Sequence, residues 1–201
     1  MSCAPQHPRS PFLLALRAGT QSSHKALEQR LPFFDARFDL HGYRALMQAY
    51  YGFHAPLETL LVGHQESARN KTPALTRDLQ ALGLSAAQID ALPLCSALPV
   101  VADEACALGV MYVLEGSTLG GQVLKRAMAE RLGLDANNGG AFLDVYAGAT
   151  GANWRRFLER LGTAPASSQD AAVQAAIATF ERFEQWLDDR GVLLEPSRTG
   201  H

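Results

Sequence analysis

Cysteine is scarce in this chain: three residues among 201, at positions 3, 95 and 106, far apart and in no CxxC pair. That pattern supports neither a disulfide framework nor a thiolate metal site, and Cys106, inside an apolar stretch, reads as a small core residue. Long apolar runs are also missing. The longest, Ala105 to Leu114, falls far short of the roughly 20 residues that span a bilayer, and Phe12 to Leu16 is too short for the core of a signal peptide. Charge of either sign is modest, with 18 Lys and Arg against 20 Asp and Glu and a net charge of -2. The basic residues are scattered, so nucleic acid is not an expected partner. No internal repeat is present, and low-complexity sequence is confined to the ends. Pro5, Pro8 and Pro11 mark residues 1–10 as a flexible arm, and residues 191–201 read as a tail, frayed from Glu195 onward. What remains, residues 11–190, is rich enough in apolar side chains for one domain with a sizeable core, expected in the cytoplasm.

The periodicity is helical throughout. A first helix starts at Ser10 as cap, with Pro11 at its first position, and runs to about Gln29. A second, capped by Asp39, runs from Leu40 or His41 to about Val62, with Pro56 as an expected kink. Thr72 to Leu92 suggests two short helices broken at Gly83, carries no chemical motif and is assigned to scaffold. A long helix opens at Val101 or Ala102 and ends near Gly133. Asn137 to Gly140 has turn chemistry, followed by a short piece around Phe142 to Tyr146 and helices at Asn153 to Leu161 and Ser168 to Asp189. No stretch reads as a strand, so the class is all-α.

Two places depart from ordinary core patterning. On the long helix, Gly109, Gly116 and Gly120 are spaced seven and four apart and share nearly one face, with Gly121 beside them. Each costs roughly 1 kcal/mol relative to alanine, so something must come close to this backbone: a packed helix or a ligand. On the first helix, Leu13, Leu16, Thr20, His24, Leu27 and Leu31 form a stripe in which His24 is the exception. A core histidine satisfied by a neighbour is the plain reading. Glu28, four residues on, can instead accept the Nδ1 proton of His24 and leave Nε2 free as a ligand. Arg17, two turns back, lies roughly 10 Å away along the axis, so a metal with a carboxylate at that distance suits the pair. His54 has no carboxylate partner and reads as a core or rim histidine.

The pattern Leu16-Arg17-x-x-Thr20-x-x-x-His24-x-x-x-Glu28 resembles the proximal helix of the haem oxygenase family, and Glu115-Gly116-Ser117-Thr118-Leu119-Gly120-Gly121-Gln122 is similar to its distal segment, most of all in bacterial members. The two blocks cover about a fifth of the chain, and helix order and length agree. The resemblance implies a single-domain helical bundle with haem between the N-terminal helix and a glycine-kinked distal helix. It implies His24 as axial iron ligand, with Gly116, Ser117 and Gly120 beside the reacting face, where oxygen has access, and with Thr20, Glu28, Tyr112, Leu119 and Phe180 near the ring. Arg17 is implied as a propionate anchor together with Arg155, for which Arg156 and Arg160 are rivals. Haem would be both cofactor and substrate, opened by O₂ to biliverdin with release of CO and ferrous iron.

One departure stands out. Many family members carry an aspartate just after the first distal glycine, where it organises water for proton delivery; this chain has Ser117, whose hydroxyl can hold water but carries no charge. No flavin or nicotinamide fingerprint is present, because the glycines do not follow a strand. Electrons are therefore expected from a ferredoxin, flavodoxin or reductase, and biliverdin is a possible supply for a bacteriophytochrome. Ser117 keeps open a haem-binding carrier or sensor without turnover, and the helical architecture keeps open a different enzyme on the same fold.

Overall fold

The structure, a computed structural model, describes residues 10–196. Seven α-helices account for most of them: α1 Pro11–Arg30, α2 Leu40–Leu60, α3 Thr72–Ala81, α4 Ala86–Asp90, α5 Glu104–Leu132, α6 Thr150–Thr163 and α7 Gln169–Asp189. Among the described residues there is no strand, only an isolated bridge between Val62 and Gln65. The all-α class is therefore as expected. The expected arm lies, except for Ser10, outside the described residues, as do Cys3 and the last five residues of the tail.

Helix boundaries follow the local chemistry. The Asp39 carboxylate accepts from Gly42 N at 2.8 Å at the start of α2, and Ser85 and Gln88 form a reciprocal capping box at α4. Asp103 accepts from Cys106 N at 2.8 Å, so α5 opens at Glu104, two or three residues later than its apolar pattern suggests. Gly133, with φ of 69°, closes it in the left-handed conformation. Ser10 takes the cap position of α1 without a side-chain bond, leaving Pro11 as the start signal. Pro56 stays inside α2, and α5 runs through its glycines without interruption. α6 begins at Thr150, three residues earlier than Asn153.

α7 packs along both α1 and α5, and two glycines permit the approach. A Cβ on Gly109 of α5 would lie 2.1 Å from the Ala172 carbonyl oxygen, and one on Gly19 of α1 would lie 2.5 Å from the Val173 side chain. Trp186 Nε1 donates to the Ala49 carbonyl at 2.7 Å and ties α7 to α2. Arg30 closes the bundle at its end, pairing with Glu184 at 3.1 Å and with Asp188. Residues 191–194 continue this packing rather than leaving it. Leu194 N donates to the Arg30 carbonyl at 2.8 Å, and Arg30 Nε donates to the Leu194 carbonyl at 3.1 Å.

Candidate functional site between α1 and α5

A cavity of about 330 Å³ opens between α1, α2, α5 and α7, within the range of small-molecule sites. Its walls come from separate parts of the sequence: Arg17, His24 and Glu28 from α1; Tyr112, Gly116, Ser117, Leu119 and Gly120 from α5; Phe180 and Phe183 from α7; Tyr50, Phe53 and His54 from α2. The glycines divide into two kinds. Gly109 serves the α5–α7 contact, and a Cβ on Gly121 would lie 2.6 Å from the Leu143 carbonyl oxygen. Gly116 faces the cavity with only the Trp154 ring at 4.0 Å from its ideal Cβ, and Gly120 has nothing within 4 Å. Helix packing thus explains two of the four, whereas Gly116 and Gly120 leave bare backbone open to a ligand.

His24 stands in the cavity wall on α1, half exposed, its ring centre 5.5 Å from that of Phe180 and perpendicular to it. Its Nδ1 lies 3.3 Å from a Glu28 carboxylate oxygen, the placement that leaves Nε2 available. The stripe that holds His24 therefore passes from core, at Leu13, Leu16 and Thr20, onto the cavity rim. Thr20 does not line the cavity: it is buried one turn away, its hydroxyl bonded to the Leu16 carbonyl at 2.7 Å. Arg155 does not line the cavity either. Trp154 lines the cavity and Phe157 is core, and at 100° per residue the intervening Arg155 and Arg156 turn outward to solvent. Arg160 is held elsewhere, by Glu104 and the Met111 sulfur. Among the expected anchors, Arg17 alone lines the cavity.

The Ser117 hydroxyl donates to the Leu114 carbonyl at 2.8 Å, so its proton is committed and only its lone pairs face outward. Glu115, one residue before Gly116, points away from the cavity into a buried cluster that sequence reading missed. Its Oε1 accepts from Lys71 Nζ at 2.7 Å and from the Tyr146 hydroxyl at 2.7 Å, and its Oε2 from Arg69 at 2.7 Å. Burial pushes the Lys71 ammonium below its ordinary value against the pull of Glu115, and pushes the Tyr146 phenol up. Glu58 accepts from the Lys71 and Thr72 backbone amides, so two cations and two carboxylates balance around Lys71. No local signal marks this cluster, since its members come from α2, the α2–α3 connection, α5 and the turn before α6.

The α3 segment read as scaffold also reaches the site. The Asp78 carboxylate accepts from Ala141 N at 2.8 Å and Phe142 N at 2.7 Å, fixing a short 3-10 turn at Phe142–Asp144. Burial raises the Asp78 carboxyl despite those bonds. The turn presents Phe142 and Leu143 to the cavity, and Asp144 takes Gln122 at 2.7 Å and Lys125 from α5.

A family model described as "Heme oxygenase" matches residues 10–189. A heme oxygenase of Xanthomonas campestris is 36% identical over 135 residues, covering 63% of this chain and 73% of that protein. The heme oxygenase structure from Leptospira interrogans superposes with a TM-score of 0.73 at 18% identity, covering 89% of this chain and 98% of that one. Heme oxygenase-1 from the cyanobacterium Synechocystis, solved in complex with heme, gives a TM-score of 0.70 at 18% identity, covering 89% and 91%.

Proposed function

The chain belongs to the haem oxygenase family and opens haem oxidatively to biliverdin, CO and ferrous iron; from that premise we propose that His24 would hold the haem iron and that the bare backbone of Gly116 and Gly120 would form the other wall of the pocket. The observation that carries this reading is the open space at Gly116 and Gly120 across the cavity from His24. A flat macrocycle on a helix backbone needs side chains to be absent there, and of the four glycines on α5 these are the two that no close protein contact requires.

Bound haem supplies both the redox-active iron and the ring that is oxidised. The chain's own residues do the rest. Glu28 beside Nδ1 orients the imidazole and leaves Nε2 free to hold the metal. Arg17, charged and at the cavity rim, suits a propionate. Phe180 holds the His24 ring edge-on, and Leu119, Phe183 and Trp154 keep the pocket apolar. Ser117 and the bare backbone of Gly116 and Gly120 would bound the face of the pocket away from His24, where a bound haem would be open to O₂.

Electrons come, on this reading, from a separate ferredoxin, flavodoxin or reductase in the cytoplasm, and the product is suited to a bacteriophytochrome. No described helix is long and apolar enough to cross a membrane. Purified protein given haem, O₂ and a working reductase is expected to lose its Soret band and yield biliverdin. Intact haem after many minutes of reductant supply would overturn the reading. His24→Ala is expected to take up haem without the histidine-ligated spectrum, and an unchanged spectrum would move the ligand elsewhere.

A further inference from the structure

Two nine-tenths-buried polar side chains in the cavity wall keep an uncommitted atom. His54 and Tyr50 are 3% and 8% exposed, both line the cavity, and their rings stack at 5.8 Å with 9° between planes. Nδ1 of His54 sits 2.9 Å from the Tyr50 carbonyl oxygen. A carbonyl can only accept, so Nδ1 carries the proton and the neutral ring presents Nε2 as a bare lone pair. Burial favours that neutral ring, with Glu58 pulling the other way and Lys71 reinforcing it.

Among the described residues, neither Nε2 of His54 nor the Tyr50 hydroxyl bonds to protein, and neither is sealed: the sealed, unpartnered side-chain atoms are Gln65 Oε1 and Thr72 Oγ1. Other buried polar groups of the lining are committed. Thr118 and Thr179 bond back to the carbonyls of Glu115 and Ala175, each at 2.7 Å. All three Lys71 ammonium protons are used, by Arg69 O, Glu115 and Tyr146. His54 also lies on the glycine side. Phe142 meets its ring at 5.4 Å, and the next residue, Leu143, packs its carbonyl on Gly121. On α7, Phe183 meets the His54 ring at 6.0 Å and Phe180, about one turn earlier, meets that of His24 at 5.5 Å.

We propose that His54 and Tyr50 hold an ordered water in the haem pocket, Nε2 accepting one of its protons and the phenol donating to its oxygen. A buried water needs about 2–4 polar partners. This corner supplies one acceptor and one donor, and the second water proton is left to point into the pocket; Ser117, its own proton bonded to Leu114, can accept there but has no proton to donate. His54 is a positioning residue for the reaction, acting through that water, and the assignment rests on the haem reading of the cavity.

Two measurements test it. In protein without haem, ¹⁵N spectra of the histidine rings are expected to show His54 protonated on Nδ1 and bare on Nε2; the opposite tautomer overturns the proposal whatever the cavity binds. In reduced, haem-loaded protein with carbon monoxide as probe, His54→Leu is expected to shift the C–O stretch, abolish its sensitivity to D₂O and lower biliverdin formed per electron by about fivefold, the effect of one hydrogen bond. His54→Gln, which keeps an acceptor, is expected to restore most of both. Haem-loaded His54→Leu with a wild-type stretch and yield overturns the His54 assignment alone. Failure of the wild type to take up haem overturns the cavity reading beneath it.

Discussion

Lys71 Nζ lies 2.7 Å from the Glu115 carboxylate, and each side chain is 1% exposed. This pair joins the α2–α3 connection to α5 one residue before Gly116, so it sets where the bare backbone of the pocket sits. A buried pair of this kind is costly to break, because the surviving charge has no water to replace its partner. Glu115→Ala leaves Lys71 and Arg69 unpaired and is expected to lower unfolding free energy by about 3–5 kcal/mol. The double variant Lys71→Met with Glu115→Leu is expected to recover at least half of that loss. Urea denaturation of the two variants checks the coupling, and equal losses would show that the pair's charge is immaterial.

The glycines of α5 predict opposite outcomes for the same substitution. Gly109→Ala and Gly121→Ala drive a methyl into the Ala172 and Leu143 carbonyls and are expected to destabilise by about 1–3 kcal/mol. Gly116→Ala and Gly120→Ala meet no protein atom closer than 4.0 Å, and each is expected to gain roughly 0.5–1 kcal/mol of helix stability. Haem affinity should nonetheless fall in the latter two. Thermal melts beside haem titrations separate stability from binding, and undiminished affinity in both would remove the ligand floor.

Burial lowers the His54 pKa from 6.5, in spite of the Glu58 carboxylate nearby. Below pH 6.5 the unfolded chain takes up a proton that the folded chain does not, so stability falls as pH drops from there to the depressed folded value and then levels. The slope is expected to reach at most about 1.4 kcal/mol per pH unit. Urea midpoints from neutral to mildly acid pH, compared with those of His54→Gln, test it. Persistence of the full slope in that variant would assign it to another group.

Arg17→Ala is expected to weaken haem binding by about fivefold, the worth of an ion pair at a partly solvated rim. Arg155→Ala is expected to leave it unchanged, since that side chain points to solvent. Optical titration with haem decides between them, and equal losses would restore Arg155 as an anchor.

Much of this was legible in the chain because it is local. Helical period, the Asp39 cap and the Gly133 stop depend on neighbours within a turn or two. The His24–Glu28 spacing and the clustered glycines are read within one helix. Not legible was a side chain's direction where it depends on how its helix is rolled against others. Arg155 carried the right charge on an outward face, Thr20 shared the stripe of His24 but stays beneath the rim, and Gly109 shared the face of Gly116 but meets α7 before the cavity begins.

The sequence by itself determined the helical class, the capped ends, and two blocks whose residue types suit a metal macrocycle, because backbone propensity and the i, i+4 geometry are set by the chain's own periodicity. Only the tertiary structure decided which glycines serve packing and which remain open. It alone brought Lys71, Arg69 and Tyr146 around Glu115, and it placed His54, expected in the core or at its rim, in the cavity wall with Nδ1 on the Tyr50 carbonyl. Burial and partnership are properties of the assembled helices, and they govern both the cost of a charge and the availability of a lone pair.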